Sequence, residues 1–176
     1  LDKSPIMALW QMDKPVIAAI NGAAAGFGMD MALLADIRIM GDTAKLAATM
    51  VKRNVVPESG GTWLLPKLVG WGKAAEIFFR GSTLSAQECT ELQLANTVVP
   101  TDQVLTTALE WATEIAANGP LAVQTTKRMM RLGTDQTFEG TVDHLLMHFK
   151  ELTKTEDFRE ALSAFNEKRA PEFKGC

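Results

Sequence analysis

Apolar residues recur at helical spacing through Ile6–Met12, after which Lys14-Pro15 interrupts the pattern and the apolar run Val16–Ile20 predicts a buried strand. The chain next passes through Asn21-Gly-Ala-Ala-Ala-Gly-Phe-Gly-Met-Asp30, read as a glycine-lined turn running into a helix over Gly26–Ala35. Ile37–Met40 predicts a strand and Lys45–Ala48 a short one. Pro57 stops the following segment, and Ser59-Gly60-Gly61 opens a helix through Thr62–Leu68 that ends at Gly70. A further helix, Lys73–Phe79, is closed by Gly81. Ser85 and Glu88 have the spacing of a capping box at the start of a helix over Ala86–Leu94, and Asn96–Val99 is the last predicted strand.

From Asp102 onward only helical patterns remain: Asp102–Asn118, Leu121–Leu132, Phe138–Thr153 and Glu156–Phe165, punctuated by Gly119-Pro120 and Gly133. Alternating strands and helices followed by an all-helical end predict an α/β core over residues 1–118 with a helical subdomain over 119–176. Its helices carry wide apolar faces, Leu121, Val123, Met129 and Met130 on one and Phe138, Val142, Leu145 and Phe149 on another, which predict burial against other subunits.

Composition narrows the function classes. With 176 residues and 47% hydrophobic side chains the chain can close a real core. A net charge of −3 with interspersed signs gives no reason to expect nucleic acid, and Lys127-Arg128 reads as helix surface. No apolar run is long enough to span a bilayer. Two cysteines, Cys89 and Cys176, lie in no metal-like or redox spacing, so a reducing compartment is expected, and with no basic-then-apolar stretch read at the start, secretion is not expected.

The residues with chemical potential begin at the glycine turn. Gly26 and Gly28 remove side chains where a ligand could approach, so backbone N–H groups around Phe27 can point at a negative oxygen at a helix start. The alternative is that small residues merely let strand and helix pack tightly. Glu58 follows Pro57 at the mouth of a helix, where an acid also complements the helix dipole. Asp30 is either a reactive carboxylate or a capping one, and Asp36 reads as a hydrogen-bond acceptor before a strand. His144 and His148 share a helix face at metal-pair spacing, but no third ligand is evident and no metal is expected.

Six segments in order give the chain a resemblance to the enoyl-CoA hydratase/isomerase family, the crotonases. They are Lys14-Pro-Val-Ile-Ala-Ala-Ile-Asn-Gly22, Gly26-Phe-Gly28, Ala35-Asp36-Ile37, Pro57-Glu-Ser-Gly-Gly-Thr-Trp63, Leu84-Ser-Ala-Gln-Glu88 and Ala164-Phe-Asn-Glu-Lys-Arg-Ala-Pro-Glu-Phe173. The resemblance implies a crotonase-like spiral of strand–strand–helix turns with a C-terminal helical part that builds a homotrimer or a hexamer. It also implies that the segment like Leu1–Trp10 falls well into the family's chain, after strands and a loop carrying the first of two oxyanion-binding N–H groups.

In that family two N–H donors hold the oxygen of a thioester enolate, and the resemblance puts the Phe27 N–H in the second donor position, with Gly26, Gly28 and Met50 beside the substrate. Hydratases of the family use two glutamates; here the first corresponds to Asp30 and the second to Met50, which moves no proton. Glu58 matches an acid that several isomerases carry in this turn. The resemblance therefore implies an enoyl-CoA isomerase with Glu58 as proton carrier. The alternatives are a hydratase using Asp30 and Glu58, or an inactive CoA-binding or oligomer-forming module.

Phe149, Phe165 and Lys168 match positions that contact the CoA adenine and phosphates, partly across a subunit boundary. Met7, Met12, Met29, Met31 and Met50 are core filler or the lining of an apolar acyl tunnel. CoA enters as part of an acyl-CoA thioester substrate, and no separate cofactor is expected. The implied setting is lipid or aromatic-acid degradation, in the cytoplasm of a bacterium or the mitochondrial or peroxisomal matrix of a eukaryote.

Overall fold

The computed structural model describes residues 4–176. Ser4 caps α1 (Pro5–Gln11) by accepting from the Met7 amide at 3.2 Å, with Pro5 at the first turn where its missing N–H costs nothing. The apolar run that follows becomes β1 (Ile17–Ile20), which pairs in parallel with β3 (Ile37–Gly41) in the register Ile17 to Ile37. A second parallel pairing adds β6 (Thr97–Val99) to β3, so the sheet order is β1-β3-β6.

The other sheet has the order β2-β4-β5, and two of its three strands were not visible in the residue pattern. β2 (Ala23–Ala25) lies where a turn was predicted, parallel to β4 (Lys45–Ala47). β5 (Thr83–Ser85) pairs antiparallel to β4. Three alanines have neither strand propensity nor a readable alternation; their extended form comes from the ladder to β4.

Helices α2 (Phe27–Leu34), α3 (Gly61–Val69), α4 (Trp71–Arg80) and α5 (Ala86–Glu91) complete this part of the chain. The capping box is present: the Ser85 hydroxyl accepts from the Glu88 amide at 3.3 Å, and the Glu88 carboxylate accepts from the Ser85 amide at 2.7 Å. α5 ends at Glu91 rather than Leu94, because Gln93 takes a left-handed conformation with φ 57°.

Met29, Met40, Leu46, Leu65, Ile77, Cys89 and Leu94 form the centre of a buried core with Leu33 and Leu84. Burial pushes the Cys89 thiol up to about 11, and both cysteines are free. Asp36 does the structural task read for it, since its Oδ2 accepts from the Val16 amide at 2.7 Å, while the Asp36 and Ile37 amides donate back to the Val16 carbonyl.

The chain forms two compact units: one up to Met12 with Val16–Glu110, the other Asp13–Pro15 with Trp111–Cys176. Asn118 lies in the turn between α6 (Val104–Ala116) and α7 (Pro120–Gly133), and the units divide inside α6. The second unit contains α7, α8 (Phe138–Leu152) and α9 (Glu156–Glu167). Asp13 pairs with Arg128 and, at 2.9 Å, with Arg131, and the two guanidiniums hold its carboxyl below the usual range. The tail folds back on α9: the buried Asp157 accepts from the Lys174 and Gly175 amides, and Glu160 takes both Nη atoms of Arg169. No helix among the described residues is long and apolar enough to cross a membrane.

Candidate active site

The site begins at Gly26. Its φ of 55° and ψ of −119° lie where a side chain is strained, and this conformation turns the chain from β2 directly into α2. The Gly26 amide donates to the Ala47 carbonyl at 3.0 Å, pinning the turn to β4, while its carbonyl accepts from the Asp30 amide at 3.1 Å. The Phe27 amide is consequently the first of the helix, with no intrahelical acceptor and at the positive end of the helix dipole.

Internal crowding does not explain the second glycine. A Cβ added at Gly28 would meet Ala24 at 3.8 Å, an ordinary contact, so tight strand–helix packing is not what keeps the position small. The cleft in front of it, about 310 Å³, is lined by Ala18, Ile20, Ala23, Ala24, Gly28 and Met31 among others. A helix-start amide at Phe27 can donate to a negative oxygen, and the neighbouring Gly28 borders a small-residue cleft.

Met50 packs behind this turn. It is 5% exposed, and its Cγ and Sδ lie 3.9 Å from where a Gly26 Cβ would stand. Met29 also belongs to the core, while Met12 is largely exposed and Met31 borders the cleft, so the five methionines do not form one tunnel lining.

Asp30 and Glu58 are brought together but in unlike surroundings. Asp30, in the first turn of α2, has no exposed surface, and its Oδ2 accepts from the Ser59 amide at 3.1 Å. Its Oδ1 has no hydrogen-bond partner among the described residues. Burial raises its pKa and the nearby Glu58 charge adds to the rise, while the Ser59 and Gly61 amides act against it. Glu58 is exposed between the buried Pro57 and the fully buried Ser59.

Two residues central to this arrangement were read only as helix openers. α3 has Gly60 as its N-cap and no side chain capping it from within its own segment. Ser59 instead gives its amide to Asp30 from across the fold, and Gly61 leaves no space: a Cβ there would run into Asp30 Oδ1. The Ser-Gly-Gly string was visible, but its partner lies at a sequence separation of 29 residues and no local pattern indicates it.

The remaining candidates lie in the second unit. Phe149 on α8 is 56% exposed, Phe165 on α9 is 80% exposed, and Lys168 is the exposed left-handed C-cap of α9. No group of three or more potential metal-ligating side chains exists among the described residues, and the half-buried His144 has an unpartnered Nδ1.

The chain is similar in sequence and fold to known proteins. The sequence pattern of the enoyl-CoA hydratase/isomerase family matches residues 2–176. The chain is 35% identical over 167 residues to the 2,3-dehydroadipyl-CoA hydratase of Escherichia coli (strain K12), covering 95% of this chain and 66% of that protein. It is 37% identical over 175 residues to the (E)-benzylidenesuccinyl-CoA hydratase of Thauera aromatica, covering 99% of this chain and 68% of that one. The crystal structure of an enoyl-CoA hydratase from Bacillus anthracis superposes with a TM-score of 0.94 at 37% identity, over 97% of this chain and 66% of that one. The chain thus spans about two thirds of the length of the relatives it matches. By its sequence and its fold, the chain belongs to the enoyl-CoA hydratase/isomerase family.

Proposed function

We propose that this protein adds water to, or removes it from, the α,β bond of an acyl-CoA thioester. The observation that carries this reading is the pairing of the Phe27 amide with a turn that presents Glu58 to solvent and is tied to α2 through Asp30 and Ser59. The relatives reported above are named hydratases, which supports hydration over a double-bond shift and revises the isomerase expected from the residues.

In the hydration direction, a Glu58 oxygen takes a proton from water as the water oxygen bonds to the β-carbon. The π electrons move onto the thioester oxygen, where the Phe27 N–H and a second donor hold the enolate. The enolate then collapses, and the α-carbon takes the proton from Glu58, so one water is added and the carboxylate is regenerated. A well-placed proton carrier contributes roughly 10²–10⁴ in rate, and one oxyanion donor about 2.7–4 kcal/mol. Asp30 is the second carboxyl of the site, enclosed and with a raised pKa, while Glu58 faces outward.

One observation favours the isomerase as a second reading. Met50, which the resemblance sets at the position of the family's second glutamate, is buried and moves no proton, while Glu58 is an exposed carboxyl, and an α-to-γ proton shift needs only one. Assaying the same protein with 2-enoyl-CoA for hydration and with 3-enoyl-CoA for isomerisation separates the two readings. We take Phe149, Phe165 and Lys168 as the residues facing CoA in an assembly of three chains or two stacked trimers. The exposed apolar side chains of the second unit support this assembly.

A further inference from the structure

We propose that Asp30 is a positioning residue: it anchors the turn that carries Glu58 by holding the Ser59 amide at the open start of α3, and it does not touch the substrate. This inference rests on the reading of Glu58 as the proton carrier.

α3 lacks a capping side chain of its own. A helix begins with amides that have no internal acceptor, and α3 (Gly61–Val69) has at its N-cap Gly60, which has no side chain to cap them. The residue just before this N-cap is held from α2, where Asp30 Oδ2 accepts from the Ser59 N–H at 3.1 Å. A carboxylate at this end of a helix is also favoured by the helix dipole.

Enclosure then separates anchoring from chemistry. Asp30 and Ser59 are both 0% exposed, and the Asp30 carboxylate lies so close to Gly61 that no Cβ fits between them. The Asp30 carboxylate is enclosed by protein, with Oδ2 on the Ser59 amide and Oδ1 without a hydrogen-bond partner among the described residues, whereas Glu58 has its side chain in solvent. Glu58 is flanked on one side by the buried Pro57, whose ring fixes φ, and on the other by the clipped Ser59. Its backbone is therefore held at both neighbours, and one of the two restraints is Asp30. Misplacing a reacting group by about 1 Å costs on the order of 10²-fold in rate, which is the effect an anchor of this kind prevents.

The test compares Asp30→Asn, Asp30→Ala and Glu58→Gln, alone and combined, in the full-length protein. Asparagine keeps an acceptor oxygen for the Ser59 amide but carries no proton between substrate atoms. The expected result is that Asp30→Ala lowers kcat by about 100-fold with KM within about threefold, while Asp30→Asn restores kcat to within about tenfold of the wild type. On the Glu58→Gln background neither change lowers the rate by more than about twofold, because both act through the same carboxyl. Hydrogen exchange at the Ser59 and Gly61 amides should speed up in Asp30→Ala and stay slow in Asp30→Asn. Asp30→Asn as inactive as Glu58→Gln, with the Ser59 amide still protected, would mean that Asp30 moves the proton itself and would overturn the proposal. If Asp30→Ala does not fold, the Asp30→Asn kinetics and exchange decide alone. Should Glu58→Gln keep the wild-type rate, the reading of Glu58 fails; unchanged exchange at Ser59 and Gly61 in Asp30→Ala would separately remove the anchor.

Discussion

The Arg38 guanidinium, inside the fold, donates through Nε to the Leu94 carbonyl at 2.7 Å, and through Nη1 to the Ala35 carbonyl at 2.6 Å. Arg38 thereby joins β3 to the last carbonyl groups of α2 and to the segment after α5, and the acceptors keep a buried cation in place although burial lowers its pKa. Arg38→Met is expected to lower stability by about 3 kcal/mol, since it leaves buried carbonyls without donors. Urea unfolding of both proteins measures this, and a change below about 1 kcal/mol would show that the contact is dispensable.

What the residue pattern revealed and what it concealed follow one rule. Features that depend on neighbours in the chain were legible: the Ser85–Glu88 box, the Val16–Ile20 strand, the Gly26 turn and the helices after Asp102. Those that depend on distant partners were not. β2 is extended only because β4 pairs with it, β5 only because of the same strand, and Asp30 reads as an anchor only once Ser59 is beside it. Asp36 was assigned correctly as an acceptor, yet its donor, the Val16 amide, was not nameable from spacing.

The C-terminal tail should hold to α9 well into acid. The Arg169 guanidinium and the Glu172 amide hold the Glu160 carboxyl down to about 2. A depressed carboxyl contributes stability above its unfolded value near 4.5, and that contribution is lost as pH falls from there through about 2. Carboxyl-carbon NMR across this range should show Glu160 titrating near the bottom of the window. Titration at an ordinary glutamate value would show that the Arg169 pair does not persist in solution.

Met50→Glu should raise hydration relative to isomerisation, because it restores a carboxyl behind the Gly26 turn. A gain of about tenfold or more is expected, below the full range for a general base because burial raises the new group's pKa. Side-by-side rates on 2-enoyl-CoA and 3-enoyl-CoA measure it, and an unchanged ratio would mean that this position faces no reacting atom.

Assembly is expected from the apolar side chains that the second unit leaves in solvent, with Phe138 at 79%, Phe149 at 56% and Phe165 at 80% exposure. Light scattering of the full-length protein at micromolar concentration should give a mass of at least three chains. A monodisperse monomer that still turns over substrate would remove both the trimer and the shared CoA site from the account.

The most direct measurement of the central claim is the steady-state hydration of a 2-enoyl-CoA by the wild type and by Glu58→Gln, with 3-enoyl-CoA isomerisation followed in parallel. The account predicts measurable hydration by the wild type, a loss of at least about 100-fold in kcat for the variant, and KM within a few-fold, since the amide keeps the shape but carries no proton. Retention of more than about a tenth of the wild-type rate by Glu58→Gln would contradict the proton-carrier role, and isomerisation without hydration would contradict the reaction proposed.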